Sequence, residues 1–171
     1  GVQTCALPIC FIAALQMLQS GQPGAAITTL ETLEKEAPQG YATLAKLQRA
    51  SALIQAGDRR EAISLYDAIA NDTSVERPLR DLAAYMAAQS LLDTADEPTL
   101  ERRLLPLNQG GNPWRFNARE LLALTALRAG NTAKAREYYA LLTDDPATPQ
   151  ARSEEHTSEL QSLAYLVCRL L

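Results

Sequence analysis

The chain has 171 residues, of which 47% are hydrophobic, 5% aromatic and 21% charged, and its formal net charge is −4. This length is enough for one domain with a substantial core, and the excess of alanine and leucine over aromatic residues favours helices over a sheet. Binding to a nucleic-acid backbone requires clustered lysine and arginine, whereas this chain is mildly acidic, so we expect no nucleic-acid partner.

The longest apolar run, from Cys5 to Leu15, is shorter than the roughly 20 residues that a membrane-spanning helix needs, and it contains Pro8. We therefore expect no complete membrane anchor in this sequence and, without a starting Met or a basic leader segment, no signal peptide. Cysteines stand only near the two ends, at Cys5, Cys10 and Cys168, without CxxC spacing. This arrangement predicts neither a zinc site nor a disulfide framework.

One spacing pattern recurs along the chain. A glycine is followed by alanine five residues later and by leucine or tyrosine four residues after that, and another alanine stands seven residues before the glycine. These marks are Ala14, Gly21, Ala26 and Leu30 in the first copy, Ala50, Gly57, Ala62 and Tyr66 in the second, and Ala123, Gly130, Ala135 and Tyr139 in the last.

A degenerate third copy is predicted between the last two glycines. The first two glycines are 36 residues apart, and the next interval, 73 residues, is about twice as long. In this copy Ala87 keeps the upstream alanine and Thr94 stands in place of glycine. Thr99 and Arg103 then replace the two later marks.

Each copy has the pattern of a helical hairpin. Before the glycine, apolar residues recur at intervals of three and four, as at Leu44 and Leu47. Glycine ends the first helix because it takes positive φ without steric cost, and the alanine after it begins the second helix where two backbones approach closely. Proline or polar residues end the copies, at Pro38, residues 71–78, Asn112–Pro113, Pro146 and Pro149. We therefore predict an all-α fold of about eight helices in four antiparallel pairs, stacked as a short right-handed solenoid.

The two ends of the chain do not follow this pattern. Arg152–Ser162, RSEEHTSELQS, contains the only histidine, His156, and matches letter for letter a translation of the adapter used in short-read DNA sequencing libraries. Gly1–Ile9, GVQTCALPI, matches the reverse complement of the same adapter. We therefore expect residues 1–10 and 152–171 to be adapter-derived and residues 11–151 to form the repeat domain. Gly1–Ile9 and Arg152–Leu171 are expected to be either loose or helical without a matched packing face.

If the two ends are excluded, residue types that catalytic and metal-binding sites often use are absent from the remaining sequence. Residues 11–151 contain 14 basic and 17 acidic residues, a net charge of −3, and neither histidine nor cysteine. Imidazole bases, thiol nucleophiles and Cys/His metal sites are therefore not expected, and we predict no metal and no cofactor.

The pattern resembles the tetratricopeptide repeat, which has its small residue, turn glycine, alanine, aromatic residue and late proline at matching offsets. The chain departs from that repeat early in the first helix, where Lys46 and Arg119 stand in place of an aromatic residue. Residues 11–151 as a whole, with AYMAAQSLLDTAD and GNPWRFNARELLALTALRAG, resemble the bacterial tetratricopeptide-like domain of the Sec-translocon ancillary subunit family. This resemblance implies one transmembrane helix upstream of Phe11, an inner-membrane location and a domain on the periplasmic side, while the fragment itself would be soluble.

The resemblance also implies a binding groove lined by the first helix of each pair. The groove candidates are Gln48, Ser51, Gln55, Asp81, Tyr85, Asn117, Glu120 and Arg128. Taken singly, each is more often part of a solvated helix face than a contact. The lysine, arginine and asparagine clamp that binds a C-terminal carboxylate in related repeats is not expected, because its positions hold Leu47, Gln48, Ser51, Asn117 and Leu121.

Two further motifs have a structural and a functional interpretation. Asn112–Pro113 predicts a helix start, and Trp114 and Phe116 after it either pack on the preceding helix pair or form an exposed anchor for a partner peptide. The acid pairs Asp96–Glu97 and Asp144–Asp145 lie at predicted turns, where such residues cap helices, and we expect no acid–base catalysis from them.

The sequence therefore predicts a non-catalytic domain that binds a protein or peptide. By resemblance, translocon subunits or periplasmic chaperones are the candidate partners, and the membrane is reached only through an upstream helix that this sequence lacks. The alternative is an oligomerisation or assembly scaffold of the bacterial cell envelope.

Overall fold

The computed structural model describes residues 7–146, and in this range the chain is helical without strands. The α-helices are α1 (Leu7–Gln19), α2 (Pro23–Glu36), α3 (Gln39–Ala56), α4 (Arg59–Asn71), α5 (Arg77–Leu91), α6 (Glu97–Leu104), α7 (Arg115–Arg128) and α8 (Thr132–Thr143), with a 3₁₀ turn at Leu105–Leu107. The predicted all-α helical-repeat fold, with helices packed in consecutive pairs, is confirmed. Between residues 7 and 146, no helix is both long and apolar enough to cross a membrane.

The described chain divides between Ser90 and Leu91 into two compact units, which we call unit 1 and unit 2. In unit 1, α2 packs on α1 and on α3, and α3 packs on α4. The side chains of α3 enter two hydrophobic clusters: Ala45 and Ala52 lie with α1 and α2, whereas Leu47, Ala50 and Leu53 lie with α4 and α5. Because α3 is buried on two sides, only one strip of its surface remains for other contacts.

The same turn joins the two helices at each of the three glycines. At Gly57, whose φ is 90°, the glycine N–H donates to the Ile54 carbonyl at 3.1 Å and the Asp58 N–H donates to the Leu53 carbonyl at 2.8 Å. This pair of bonds is the Schellman arrangement that satisfies the last carbonyls of a helix. Gly21, with φ 73°, and Gly130, with φ 77°, make the same two bonds.

The residue after each glycine precedes the second helix of the pair. Asp58 and Asn131 cap α4 and α8, since each side chain accepts the backbone N–H three residues later at 3.2 Å. Gln22 precedes α2 without a side-chain cap, and Pro23 follows it. The six alanine marks of the three copies are at most 1% exposed, as are Leu30 and Tyr66, while Tyr139 is half-buried.

The third copy contains one more residue in its turn than the sequence pattern predicts. The turn between α5 and α6 contains no glycine, and Asp96, two residues after Thr94, caps α6 by accepting the Thr99 N–H at 3.0 Å. Counted from this cap, Leu100 and Leu104 take the two buried positions, and both are 0% exposed. The prediction that Thr99 and Arg103 replace the later marks is therefore wrong by one residue.

The start of α7 also differs from the prediction. Asn112 does not cap the helix at its first turn, because α7 begins at Arg115 and the Asn112 side chain accepts the Trp114 N–H at 2.9 Å within the preceding turn. Phe116 is buried at 7% exposure and Trp114 is half-buried, so of the two interpretations the structure supports packing for Phe116.

The adapter prediction falls mostly outside the described residues, except at residues 7–10, which form the first turn of α1. Leu7 and Cys10 are half-buried against the cluster around Ala14, whereas Ile9 is 64% exposed. Cys10 is disulfide-bonded, which the cysteine spacing did not predict. Residues 152–171 lie outside the described range.

Candidate functional site

The structure places the groove candidates in two sets, one in each unit. Gln48, Ser51 and Gln55 lie on α3 and Asp81 and Tyr85 lie on α5, all in unit 1. The remaining candidates lie on α7 in unit 2: Asn117, Glu120 and Arg128.

The α3 candidates continue a strip that begins earlier on the helix. Residues three and four positions apart share one face of a helix, so Tyr41 and Leu44 stand in line with the three candidates. Their exposure of 40% and 38% is high for residues of their size. We call this strip the α3 face; its members are Tyr41, Leu44, Gln48, Ser51 and Gln55. Tyr41 and Leu44 were not predicted as surface residues, although their spacing of seven and four residues before Gln48 indicates the shared face.

The three polar side chains of the α3 face make no hydrogen bond or ion pair with other described residues. Gln48 and Ser51 are half-buried and Gln55 is exposed. Each glutamine amide offers both donors and an acceptor, and a serine hydroxyl offers one donor and two acceptor lone pairs. The α3 face therefore carries hydrogen-bonding groups that the described part of the chain leaves for solvent or a partner.

Both charged residues of α3 are used on another side of the helix. Glu34 of α2 pairs with Arg49 at 2.9 Å and with Lys46 at 3.6 Å, and Arg49 also lies 3.6 Å from Glu61 of α4. The Arg49 side chain is only 14% exposed. Lys46, which stands in place of the repeat's aromatic residue, thus joins α3 to α2, and the α3 face itself is uncharged.

The α5 candidates are engaged within the chain. Asp81 lies 3.6 Å from Arg77 one turn earlier on the same helix, and its side chain is 19% exposed. Tyr85 is half-buried and also interacts within the chain. These two residues offer a partner less free hydrogen-bonding capacity than the α3 face does.

The α7 candidates are also engaged, in unit 2. Arg128 at the end of α7 donates to the carbonyl of Ala95, and Asn117 interacts with other groups of the chain. The Tyr139 hydroxyl has its pKa raised, first by burial and then by the negative charge of Glu120. These residues were predicted to line a groove, but two of them, Asn117 and Arg128, have contacts within the chain.

A cluster of charged side chains in unit 2 was not anticipated from the sequence. Asp145, just after α8, lies 3.0 Å from Arg115 and 2.8 Å from Arg119, both on α7. The Arg119 side chain also donates to Asn108 at 2.7 Å, and the Arg115 guanidinium carbon lies 4.1 Å from the centre of the Phe116 ring. Arg115 and Asp145 are 30 positions apart in the sequence, so no local spacing predicts the cluster.

Other titratable groups have structural roles. Lys134 of α8 pairs with Glu101 and, at 3.4 Å, with Glu97 of α6, and the hydrogen bond to Glu101 is the main cause that raises the pKa of Lys134. Within residues 7–146, no group of three or more His, Cys, Asp or Glu side chains is arranged to hold a metal ion.

The chain matches no model of a known protein family, no curated protein and no solved structure.

Proposed function

We propose that this chain is a non-catalytic protein-interaction domain that binds a polypeptide through the first helices of its pairs. The α3 face is the observation that supports this proposal most: it combines two partly exposed apolar side chains with three polar side chains that lack partners among the described residues. A surface that hydrogen-bonds and buries apolar area at the same time is typical of protein interfaces.

The resemblance of residues 11–151 as a whole to the Sec-translocon ancillary subunit family suggests the partners and the cellular location. We propose that the full-length protein is anchored in the bacterial inner membrane by a helix upstream of Phe11 and that the domain faces the periplasm. Translocon subunits or periplasmic chaperones are then the expected partners.

Crosslinking of the full-length anchored protein in cells tests this proposal. Recovery of translocon subunits or periplasmic chaperones in covalent complexes supports it. Recovery of only the protein itself, or of other envelope proteins, contradicts it and favours the alternative, an oligomerisation or assembly scaffold of the cell envelope.

A further inference from the structure

Helix α1 exposes a side that the later first helices bury. Counted from the alanine mark of each copy, Ile9 of α1 corresponds to Ala45 of α3, Leu82 of α5 and Ala118 of α7. Ala45 and Ala118 are 0% exposed and Leu82 is half-buried, whereas Ile9 is 64% exposed. Ala45 packs with α1 and α2, and Leu82 packs against the cluster that α3 and α4 form with α5, so this position faces the preceding helix pair. Within the described part of the chain, no helix covers the corresponding side of α1.

The uncovered side of α1 is an uncharged strip with large apolar side chains. Ile12 lies one turn after Ile9 and is 54% exposed. Ile9 belongs to the end that matches the adapter, whereas Ile12 belongs to the repeat domain. We call this surface the α1 strip; its members are Ile9, Ile12, Ala13 and Gln16.

The outer face of a terminal helix pair is usually polar, because no further pair covers it. The sequence of α1, LPICFIAALQMLQ, contains no charged residue, whereas every other α-helix between residues 7 and 146 contains at least two. The α1 strip therefore has the composition of a packed surface and not that of a terminal cap.

Charged residues beside the α1 strip are mostly paired within the chain. Helix α1 packs on α2 and also contacts α3. On α2, Glu31 pairs with Lys35 at 3.0 Å, and Glu34 pairs with both cations of α3. Glu36, the last residue of α2, is the one charged residue of that helix without an ion pair among the described residues. A strongly charged partner would gain little here, whereas an apolar partner surface would remove exposed apolar area on both sides.

A second copy of the chain supplies such an apolar surface. In a two-fold dimer the same strip faces itself, and because the α1 strip has no charge, no like charges meet within it. Each copy then covers Ile9 and Ile12 of the other, as the preceding pair covers Leu82 within the chain. The last described helix matches the strip less well, since Arg136 and Glu137 are exposed on α8.

The size of α1 sets the strength of this association. The helix has 13 residues, so it is about 20 Å long, and packed helices lie about 10 Å apart. A contact of this size covers roughly 200–400 Å² per copy, less than the roughly 800 Å² per partner of a standard interface. The dimer is therefore expected to be weak, with a dissociation constant on the order of 10–100 μM.

We propose that two copies of this chain associate weakly through the α1 strip, with Ile9 and Ile12 of each copy packed against α1 of the other. The α1 strip and the α3 face lie on different helices, so the dimer is independent of the proposed binding of a polypeptide.

Sedimentation velocity of the whole 171-residue chain tests this proposal. Between about 5 and about 500 μM, the weight-average mass should rise from that of one chain towards that of two. A chain that stays monomeric at the highest concentration would overturn the proposal. Growth beyond two chains would also overturn it, because it would show a head-to-tail contact in place of a two-fold one.

Variants of the chain locate the interface. Ile12→Arg brings two cations together in the dimer and is expected to weaken association by about tenfold or more, and Ile12→Ala by about threefold to tenfold. Leu141→Arg is the matched control, because Leu141 is also an exposed aliphatic residue (45%) but lies on α8, and this variant should associate like the unchanged chain. Circular dichroism of each variant separates lost association from lost folding. Unchanged association of Ile12→Arg would contradict the proposal.

Other modes of association give different results. If Leu44→Arg on the α3 face dissociated the dimer and Ile12→Arg did not, the α3 face would be the interface and the proposal would be wrong. Cys10 also lies on α1, so a dimer that persists in sodium dodecyl sulfate without reductant would be linked by cysteines, again overturning it. A monomer in solution together with translocon crosslinks in cells would reject this inference and leave the proposed function standing.

Discussion

At the scale of single residues, Tyr66 has a buried hydroxyl that no other residue in the described part of the chain hydrogen-bonds. The residue is 1% exposed in the cluster formed by α3, α4 and α5, and its hydroxyl makes no hydrogen bond with the described residues. Burial accordingly raises the pKa of Tyr66. A buried polar group without a hydrogen-bond partner retains the full free-energy cost of its desolvation. Tyr66, the aromatic residue of the second copy, therefore stabilises the core through its ring, whereas its hydroxyl makes no compensating hydrogen bond with the described residues.

We therefore expect Tyr66→Phe to raise the free energy of unfolding by about 1 kcal/mol, because the ring is kept and the unpaired hydroxyl is removed. Urea denaturation measures this change. Tyr41→Phe is the matched control, since Tyr41 is 40% exposed and its hydroxyl is accessible to water, and it should change stability by less than about 0.5 kcal/mol. A lower stability for Tyr66→Phe would show that the hydroxyl is hydrogen-bonded to buried water.

Asp96 makes the stability of the fold depend on pH. The side-chain hydrogen bond to Thr99, followed by the backbone bond to the same residue, lowers the pKa of Asp96 from its usual value of 3.8. A carboxylate whose pKa is lower in the folded state stabilises the fold above its unfolded pKa, and this contribution is lost as the pH falls through the folded pKa.

Asp96→Ala should consequently lower the urea midpoint at about pH 7, and the difference from the unchanged chain should shrink as the pH is lowered from about 5 to about 2. Urea titrations across this range provide the measurement. A difference that stays constant down to about pH 2 would mean that the cap does not depend on the charge of Asp96.

At the scale of elements, the repeated glycine turn is what makes the helix pairs recognisable in the sequence. Each turn combines a glycine with positive φ, a capping position directly after it and a buried alanine four residues beyond the cap. Because these positions are close in sequence, their spacing alone predicts the helix pair. The third copy has no such glycine, and its extra turn residue shifted the buried positions to Leu100 and Leu104 without a sequence mark. Its register therefore could not be predicted, although its existence could.

Gly57→Ala tests the turn directly. A Cβ at Gly57 would meet no atom within 4 Å, so its cost comes from the left-handed backbone alone, and we expect destabilisation of about 1 kcal/mol. Gly24 in α2 also has open space around it but no positive φ, and Gly24→Ala should stabilise by up to about 1 kcal/mol. Thermal denaturation of both variants should therefore shift in opposite directions, and equal shifts would refute the assigned role of Gly57.

Ala62→Arg tests the close approach within the second pair. Ala62 is 0% exposed, so a long charged side chain there has no space and no partner, and we expect a loss of more than about 3 kcal/mol. Ala68 lies on the same helix but is exposed, and Ala68→Arg should change stability by less than about 0.5 kcal/mol. Unchanged melting of the Ala62 variant would show that α3 and α4 do not pack through this position.

At the scale of the whole molecule, the fold was more predictable from the sequence than the site was. Local spacing and composition predict helices that pack in consecutive pairs, and the structure contains such helices and pairs. The candidate site depends on which side chains remain free after packing, which needs the positions of residues distant in sequence. The groove candidates illustrate this, since those of α3 have no hydrogen-bond or ion-pair partner within residues 7–146, whereas Asp81, Tyr85, Asn117 and Arg128 are engaged within the chain.

The net charge of the molecule affects how it associates with a partner. The excess of acidic over basic residues in residues 11–151 is small, and the two cations of α3, Lys46 and Arg49, face the two carboxylates of Glu34 and Glu61. Long-range electrostatic steering is therefore not expected to dominate association, and binding through the α3 face should depend weakly on salt.

The central claim, that the protein binds polypeptides through the α3 face, is tested most directly by site-specific photocrosslinking in cells. A photoreactive amino acid would replace either Gln48 on the α3 face or exposed Ala68 on α4 of the full-length protein. We expect covalent complexes with translocon subunits or periplasmic chaperones from position 48 and none from position 68. Equal yields from both positions, or none from position 48, would contradict it.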